Sequence, residues 1–144
     1  MKKRIIFGAT MGVMLLYLTG CGGKTLTCTN TQEQTGMTMQ AEVKVSFRND
    51  TASDLNMTVK TDIDDDYADR TSQFAKLLEE QYSSYEDSGF DVDVKSTNNT
   101  VTLTLGADFA HMTDEEKENL GFDSSDNSYD AVKESLEDSG FTCR

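Results

Sequence analysis

His111 is the single histidine of this 144-residue chain, and Asp108 stands three residues before it. Joined by a serine, that pair would make a Ser–His–Asp arrangement, in which the carboxylate orients the imidazole and the imidazole takes the hydroxyl proton. The sequence offers neither a nucleophile elbow nor an oxyanion loop, so His111 also reads as an ordinary loop residue ahead of a helix. Asp91 and Asp93 share a strand face and supply a carboxylate pair of the kind a small hydrolase needs. They face water, where neither pKa need move far. Two acidic stretches invite a test for calcium. Asp62-Ile63-Asp64-Asp65-Asp66 opens like an EF-hand loop, but Tyr67 takes the glycine place and Gln73 the final glutamate place. Asp123, Ser125, Asn127 and Glu134 fall at ligand positions, with Ser128 in place of the glycine and Asp130 in the hydrophobic place. Helix capping by Asp126 or Ser128 explains the same residues more simply. The metal candidates are therefore Asp123, Ser125, Asn127 and Glu134. No catalytic residue is assigned and no cofactor is expected.

The three cysteines carry more. Lys2, Lys3 and Arg4 precede a mostly apolar run, Ile5 to Tyr17, that is too short for a comfortable membrane span. Small residues then lead into Cys21. This is the layout of a secretory signal peptide, and Leu18-Thr19-Gly20-Cys21 resembles the lipobox of bacterial lipoproteins. The resemblance implies cleavage between Gly20 and Cys21 and a diacylglyceryl group on the Cys21 sulfur. The protein is then tethered to the bacterial cell membrane facing outward, or to an outer membrane where the envelope has one. The competing readings are an uncleaved signal anchor and a chance cysteine. On the lipoprotein reading, residues 1–20 are signal peptide, 21–24 the lipidated cysteine and short tether, and 25–144 one domain.

Cys28 and Cys143 remain as an even pair in an exported chain and read as a disulfide closing nearly the whole domain. Two free thiols are the alternative, which an oxidising exterior disfavours. All 26 acids but only 10 of the 13 basic residues follow the signal, so the mature formal charge is −16. Such an excess repels nucleic acid and anionic headgroups, which argues against a nucleic-acid partner. It suits a cationic partner, metal ions, or simply a solvated acidic surface.

The elements that position these residues follow from periodicity. Met37 to Phe47 alternates without a break, with apolar residues at the odd positions. Arg48-Asn49-Asp50 supplies a turn, and Leu55, Met57 and Val59 return from it as a hairpin. Leu26 and Cys28 suggest a first strand just after the tether. Asp62 to Asp66 ends the second hairpin strand and starts a helix running to about Tyr85, with Tyr67, Phe74, Leu77, Leu78, Tyr82 and Tyr85 on one broad stripe. Phe90, Val92 and Val94 form a strand, Asn98-Asn99 a turn, and Val101, Leu103 and Leu105 its return. Thr113 and Glu116 make a capping box opening a short helix that ends at Gly121. A last helix spans about Ser128 to Ser139, followed by a short extended end, Phe141-Thr142-Cys143. Glu86-Asp87-Ser88-Gly89-Phe90 recurs as Glu137-Asp138-Ser139-Gly140-Phe141. A shared way of stopping a helix explains the echo without duplication.

Every strand is apolar on one side only. The expected fold is α+β: an antiparallel sheet with helices packed on one face, in approximate ββαββα order with a short terminal strand. The open face would carry Thr38, Gln40, Glu42, Lys44, Thr58, Lys60, Asp91, Asp93, Lys95, Thr102 and Thr104. Any partner surface is expected there and not in a buried pocket, and a plain solvated face is the simpler alternative.

The order of elements, with Phe74-Ala75-Lys76-Leu77-Leu78 through Tyr85, Thr100 to Leu105 and Val132 to Phe141, resembles the YehR-like family of bacterial lipoproteins. The resemblance covers most of the mature chain and contains no catalytic motif. It implies an α+β fold and an exported lipoprotein, and the family's own activity is unknown. The Cys28 and Cys143 pair is not part of the family pattern. The expected function is a membrane-anchored surface lipoprotein acting as a non-catalytic binding or accessory module. The alternatives are a calcium-binding acidic domain and a small carboxylate-based hydrolase.

Overall fold

The computed structural model describes residues 23–119 and 126–144. Three long strands come first: β1 (Gly23–Gln34), β2 (Met37–Arg48) and β3 (Thr51–Ile63). A 3₁₀ turn, Asp65–Arg70, leads into α1 (Thr71–Glu86), followed by β4 (Phe90–Thr97) and β5 (Thr100–Asp108). A second 3₁₀ turn, Phe109–His111, precedes α2 (Asp114–Asn119), α3 (Tyr129–Asp138) and the two-residue β6 (Thr142–Cys143). The six strands form one antiparallel sheet in the order β4-β5-β3-β2-β1-β6. The class is α+β as expected; the first strand read at Leu26 and Cys28 precedes the hairpin, so three strands stand before α1 and the ββαββα order is matched only approximately.

Turn chemistry sets the registers. Asn49 and Asp50 both take positive φ, 49° and 58°, the twist a two-residue hairpin needs. A bulge at Ser46/Phe47, where the Ser53 hydroxyl donates to the Ser46 carbonyl at 3.1 Å, brings Ala52 beside Phe47. The repeated pentapeptide acts as a helix stop in both copies. Gly89 and Gly140 have φ of +84° and +90°, and their amides reach the carbonyls of Glu86 and Glu137.

One sheet face holds the core. Leu26, Val45 and Leu55 are successive cross-strand partners, as are Cys28, Val43 and Met57, then Leu105 and Val92. Val132 of α3 packs into a cluster with Leu26, Cys28, Phe47 and Phe90, and the Tyr129 ring lies 5.2 Å from that of Phe47. A buried side chain such as Phe47 contributes roughly 1.5–3 kcal/mol. Ala75 of α1 packs separately on Ile63 and Val101, flanked by Phe74, Leu78 and Val94. Both helices thus cover the same face, α3 toward the β1 side and α1 toward the β5 side. The opposite face carries the expected polar rows: Gln40, Lys60, Thr102 and Lys95 are cross-strand neighbours, as are Glu42, Thr58, Thr104 and Asp93.

Two elements differ from the periodicity reading. β1 runs on through the polar stretch Thr29–Gln34, which has no alternation to reveal it and is held by pairing with β2. The first helix begins at Thr71, because Asp65–Arg70 winds as a 3₁₀ turn. The capping box forms as read: the Thr113 amide donates to Glu116 at 2.7 Å and the Glu116 amide to the Thr113 hydroxyl at 3.3 Å. The expected helix end at Gly121 lies outside the described residues.

Candidate functional site

The end of the sheet remote from Gly23 gathers three chain segments. They are the β1–β2 turn at Thr35-Gly36, the stretch from Ile63 through Arg70, and the Asn98-Asn99 turn. The Asp64 amide donates to the Gly36 carbonyl at 3.0 Å, the Ile63 amide to the Asn99 carbonyl at 2.7 Å, and the Asn99 side chain to Asp65 at 2.6 Å. These bonds fix the 3₁₀ turn against the sheet and place the Tyr67 ring directly over Gly36. A Cβ at Gly36 would stand 2.6 Å from that ring, and its φ of +85° suits glycine.

Between this turn and the first half of α1 lies an open cleft of about 350 Å³. Its walls are Met37, Ile63, Tyr67, Phe74 and Leu77, and its polar groups come from Thr35, Arg70 and Gln73. Leu77 is 56 % exposed and Tyr67 38 %, although both belong to the stripe expected to face the sheet. The Arg70 guanidinium sits 5.8 Å from the Tyr67 ring centroid, and among the described residues no carboxylate lies within ion-pair distance of it. Periodicity alone did not reveal this site. The signal for it was the width of the stripe, since a helix lying on a sheet edge cannot bury six large side chains spread around so broad an arc.

The sites named from the sequence fare differently. Cys28 and Cys143 are bridged by a disulfide and are cross-strand partners in β1 and β6. Cys21 lies outside the described residues. His111 Nδ1 does meet Asp108 Oδ2 at 2.8 Å, but both side chains are at least half exposed and no hydroxyl hydrogen-bonds to the imidazole among the described residues. The Ala110 amide, and then His111, hold the Asp108 carboxyl below its ordinary pKa. Nothing here activates a nucleophile.

Asp93 is paired with Lys95 at 2.7 Å. Asp91 borders a depression of the open face, about 390 Å³, lined also by Lys44, Asn56, Gly106 and Asp108. On that same face Lys44 is paired with Glu42 and Lys60 with Asp62, so all three lysines are neutralised by acids of their own strands. Of the calcium candidates, Asp123 and Ser125 lie outside the described residues. The Asn127 carbonyl accepts from the Ala52 amide, and Glu134 is exposed on α3. Ser128 caps α3 by accepting from the Ala131 amide, and Asp126 accepts from the Ser128 amide. Among the described residues no group of three or more acids, histidines or cysteines is placed to hold a metal, and no helix is long and apolar enough to cross a membrane.

No protein-family model and no curated protein matches the chain. Solved structures do. The NMR structure of the Escherichia coli YehR protein superposes with a TM-score of 0.62 at 13% identity, over 85% of this chain and 92% of that one. The chain is similar in fold to YehR. An NMR structure of a protein from Streptococcus pneumoniae TIGR4 matches with a TM-score of 0.51, also at 13% identity, over 100% of this chain and 98% of that one. The resemblance to the YehR-like family therefore holds at the level of fold, at a distance where identity carries no residue roles.

Proposed function

We propose that this protein is an exported lipoprotein, anchored at Cys21, that serves as a non-catalytic binding module with its ligand site in the cleft beside α1. The observation that carries this reading is the concave apolar surface left open there, with Leu77 and Tyr67 exposed on its walls. Ligand sites are typically apolar concavities holding a few placed polar groups. The position supports it as well. β1 starts at Gly23, two residues after Cys21, and its 12 residues run to the turn that floors the cleft. At about 3.4 Å per residue, the strand holds the cleft roughly 40 Å from Gly23.

The test uses residues 22–144, which contain every strand, helix and disulfide described above. A neutral apolar dye such as Nile red should gain fluorescence with this protein, and Leu77→Asp should remove the gain without altering the circular dichroism spectrum. Equal fluorescence from both proteins refutes the site.

A further inference from the structure

The polar lining of the cleft is selective in charge, which bears on what it binds. Its ionisable side chains are Arg70 and the phenol of Tyr67, and no carboxylate lines it. That is unusual for a chain of net charge −13 whose neighbouring residues include Asp64, Asp65, Asp66 and Asp69. The nearby acids that make hydrogen bonds turn them elsewhere. Asp65 accepts from Asn99, and Asp62 accepts from Lys60 and from the Thr100 hydroxyl at 2.7 Å. Arg70 is left stacked toward Tyr67, a contact that orients a guanidinium without consuming its N–H donors. A guanidinium with free donors at the mouth of an apolar hollow pairs best with a planar anion, most simply a carboxylate taken in a two-pronged hydrogen bond.

We propose that the cleft takes a small amphiphile with an anionic head, a medium-chain carboxylate, its chain against Met37, Ile63, Phe74 and Leu77 and its head at Arg70. The volume of about 350 Å³ is at the small end of ligand pockets, which suits one short chain and not a folded partner. This inference rests on the cleft being the binding site.

The experiment is an NMR titration of ¹⁵N-labelled residues 22–144 with decanoate, decanol and decyltrimethylammonium, each below its micelle-forming concentration. Decanoate should shift the amides of Gly36, Tyr67, Arg70 and Leu77, and decanol should bind about tenfold more weakly, as expected for loss of a charge-assisted hydrogen bond. Arg70→Gln should bring decanoate down to the affinity of decanol and leave decanol unchanged, and Arg70→Lys should restore part of the difference. Arg70 is exposed, and the spectrum itself reports whether each variant is folded. Equal affinity for the three head groups, or preference for the ammonium, overturns the anionic ligand while leaving the cleft as the site. Shifts confined to the open sheet face, or no shifts with any probe, overturn both.

Discussion

Cys28 and Cys143 face each other across β1 and β6, 115 residues apart in sequence, and their disulfide lies within the core that α3 covers. The Thr27 and Arg144 backbones exchange hydrogen bonds of 3.2 and 3.0 Å beside it. β6 is only two residues long, and the bridge adds a covalent tie to these backbone hydrogen bonds.

Removing the bridge should therefore loosen much more than the last residues. Cys28→Ala combined with Cys143→Ala is expected to lower unfolding free energy by about 4–5 kcal/mol, the chain-entropy value for so long a loop. Urea denaturation of the variant against the oxidised wild type measures it, and coincident midpoints would contradict the expectation.

Gly36→Ala and Gly89→Ala separate crowding from backbone strain. Both glycines have φ near +85°, but a Cβ at Gly36 meets the Tyr67 ring whereas one at Gly89 meets nothing within 4 Å. Gly89→Ala should cost about 1–2 kcal/mol from the left-handed backbone alone. Gly36→Ala should cost visibly more in thermal unfolding and should also abolish dye binding by displacing Tyr67. Equal costs would mean that the ring moves aside freely.

Ser128→Ala should destabilise by about 1 kcal/mol, the usual cost of losing a helix N-cap. Because Ser128 and Asp126 act in capping α3, the loss should be the same in calcium and in EDTA. A melting temperature that rises with calcium in the wild type and not in Glu134→Gln would instead favour the calcium alternative.

Asp62 should make part of the stability depend on acid. The hydrogen bond from Lys60, and then that from Thr100, hold its carboxyl below the ordinary 3.8. A depressed folded-state pKa means that this stabilisation is present above 3.8 and is lost as the pH falls through the lower folded value. The side chain is 40 % exposed, so after solvent screening the effect is about 0.5 kcal/mol or less. Asp62→Asn should thus be slightly less stable than wild type at neutral pH, and the two denaturation curves should converge well below 3.8. A gap that stays constant with pH would assign the loss to something other than ionisation.

Lipidation is checked directly. A metabolic fatty-acid label should mark the wild type and not Cys21→Ser. Equal labelling would remove the anchor from the proposed function.

How much of this was legible in the chain depends on how local each feature is. Strict alternation in Met37–Phe47 fixed which side chains share a face, because successive strand residues point to opposite sides of a sheet. Asn49-Asp50, the Thr113/Glu116 box and the two Ser-Gly-Phe stops are settled by backbone conformations and hydrogen bonds within a few residues, so their sequence signals sufficed. The fold class followed from those pieces. The length of β1 did not, since Thr29–Gln34 is polar throughout and is extended only because β2 pairs with it. The cleft was equally out of reach of periodicity. Gly36, Ile63, Tyr67 and Leu77 meet only once β1, β2 and β3 are in register and α1 has settled over β4 and β5. A helical stripe records which residues can be buried, and the placement of the helix decides which of them are. The placement of α1 left Leu77 exposed and the 3₁₀ turn left Tyr67 so, and with them came the cleft at Arg70.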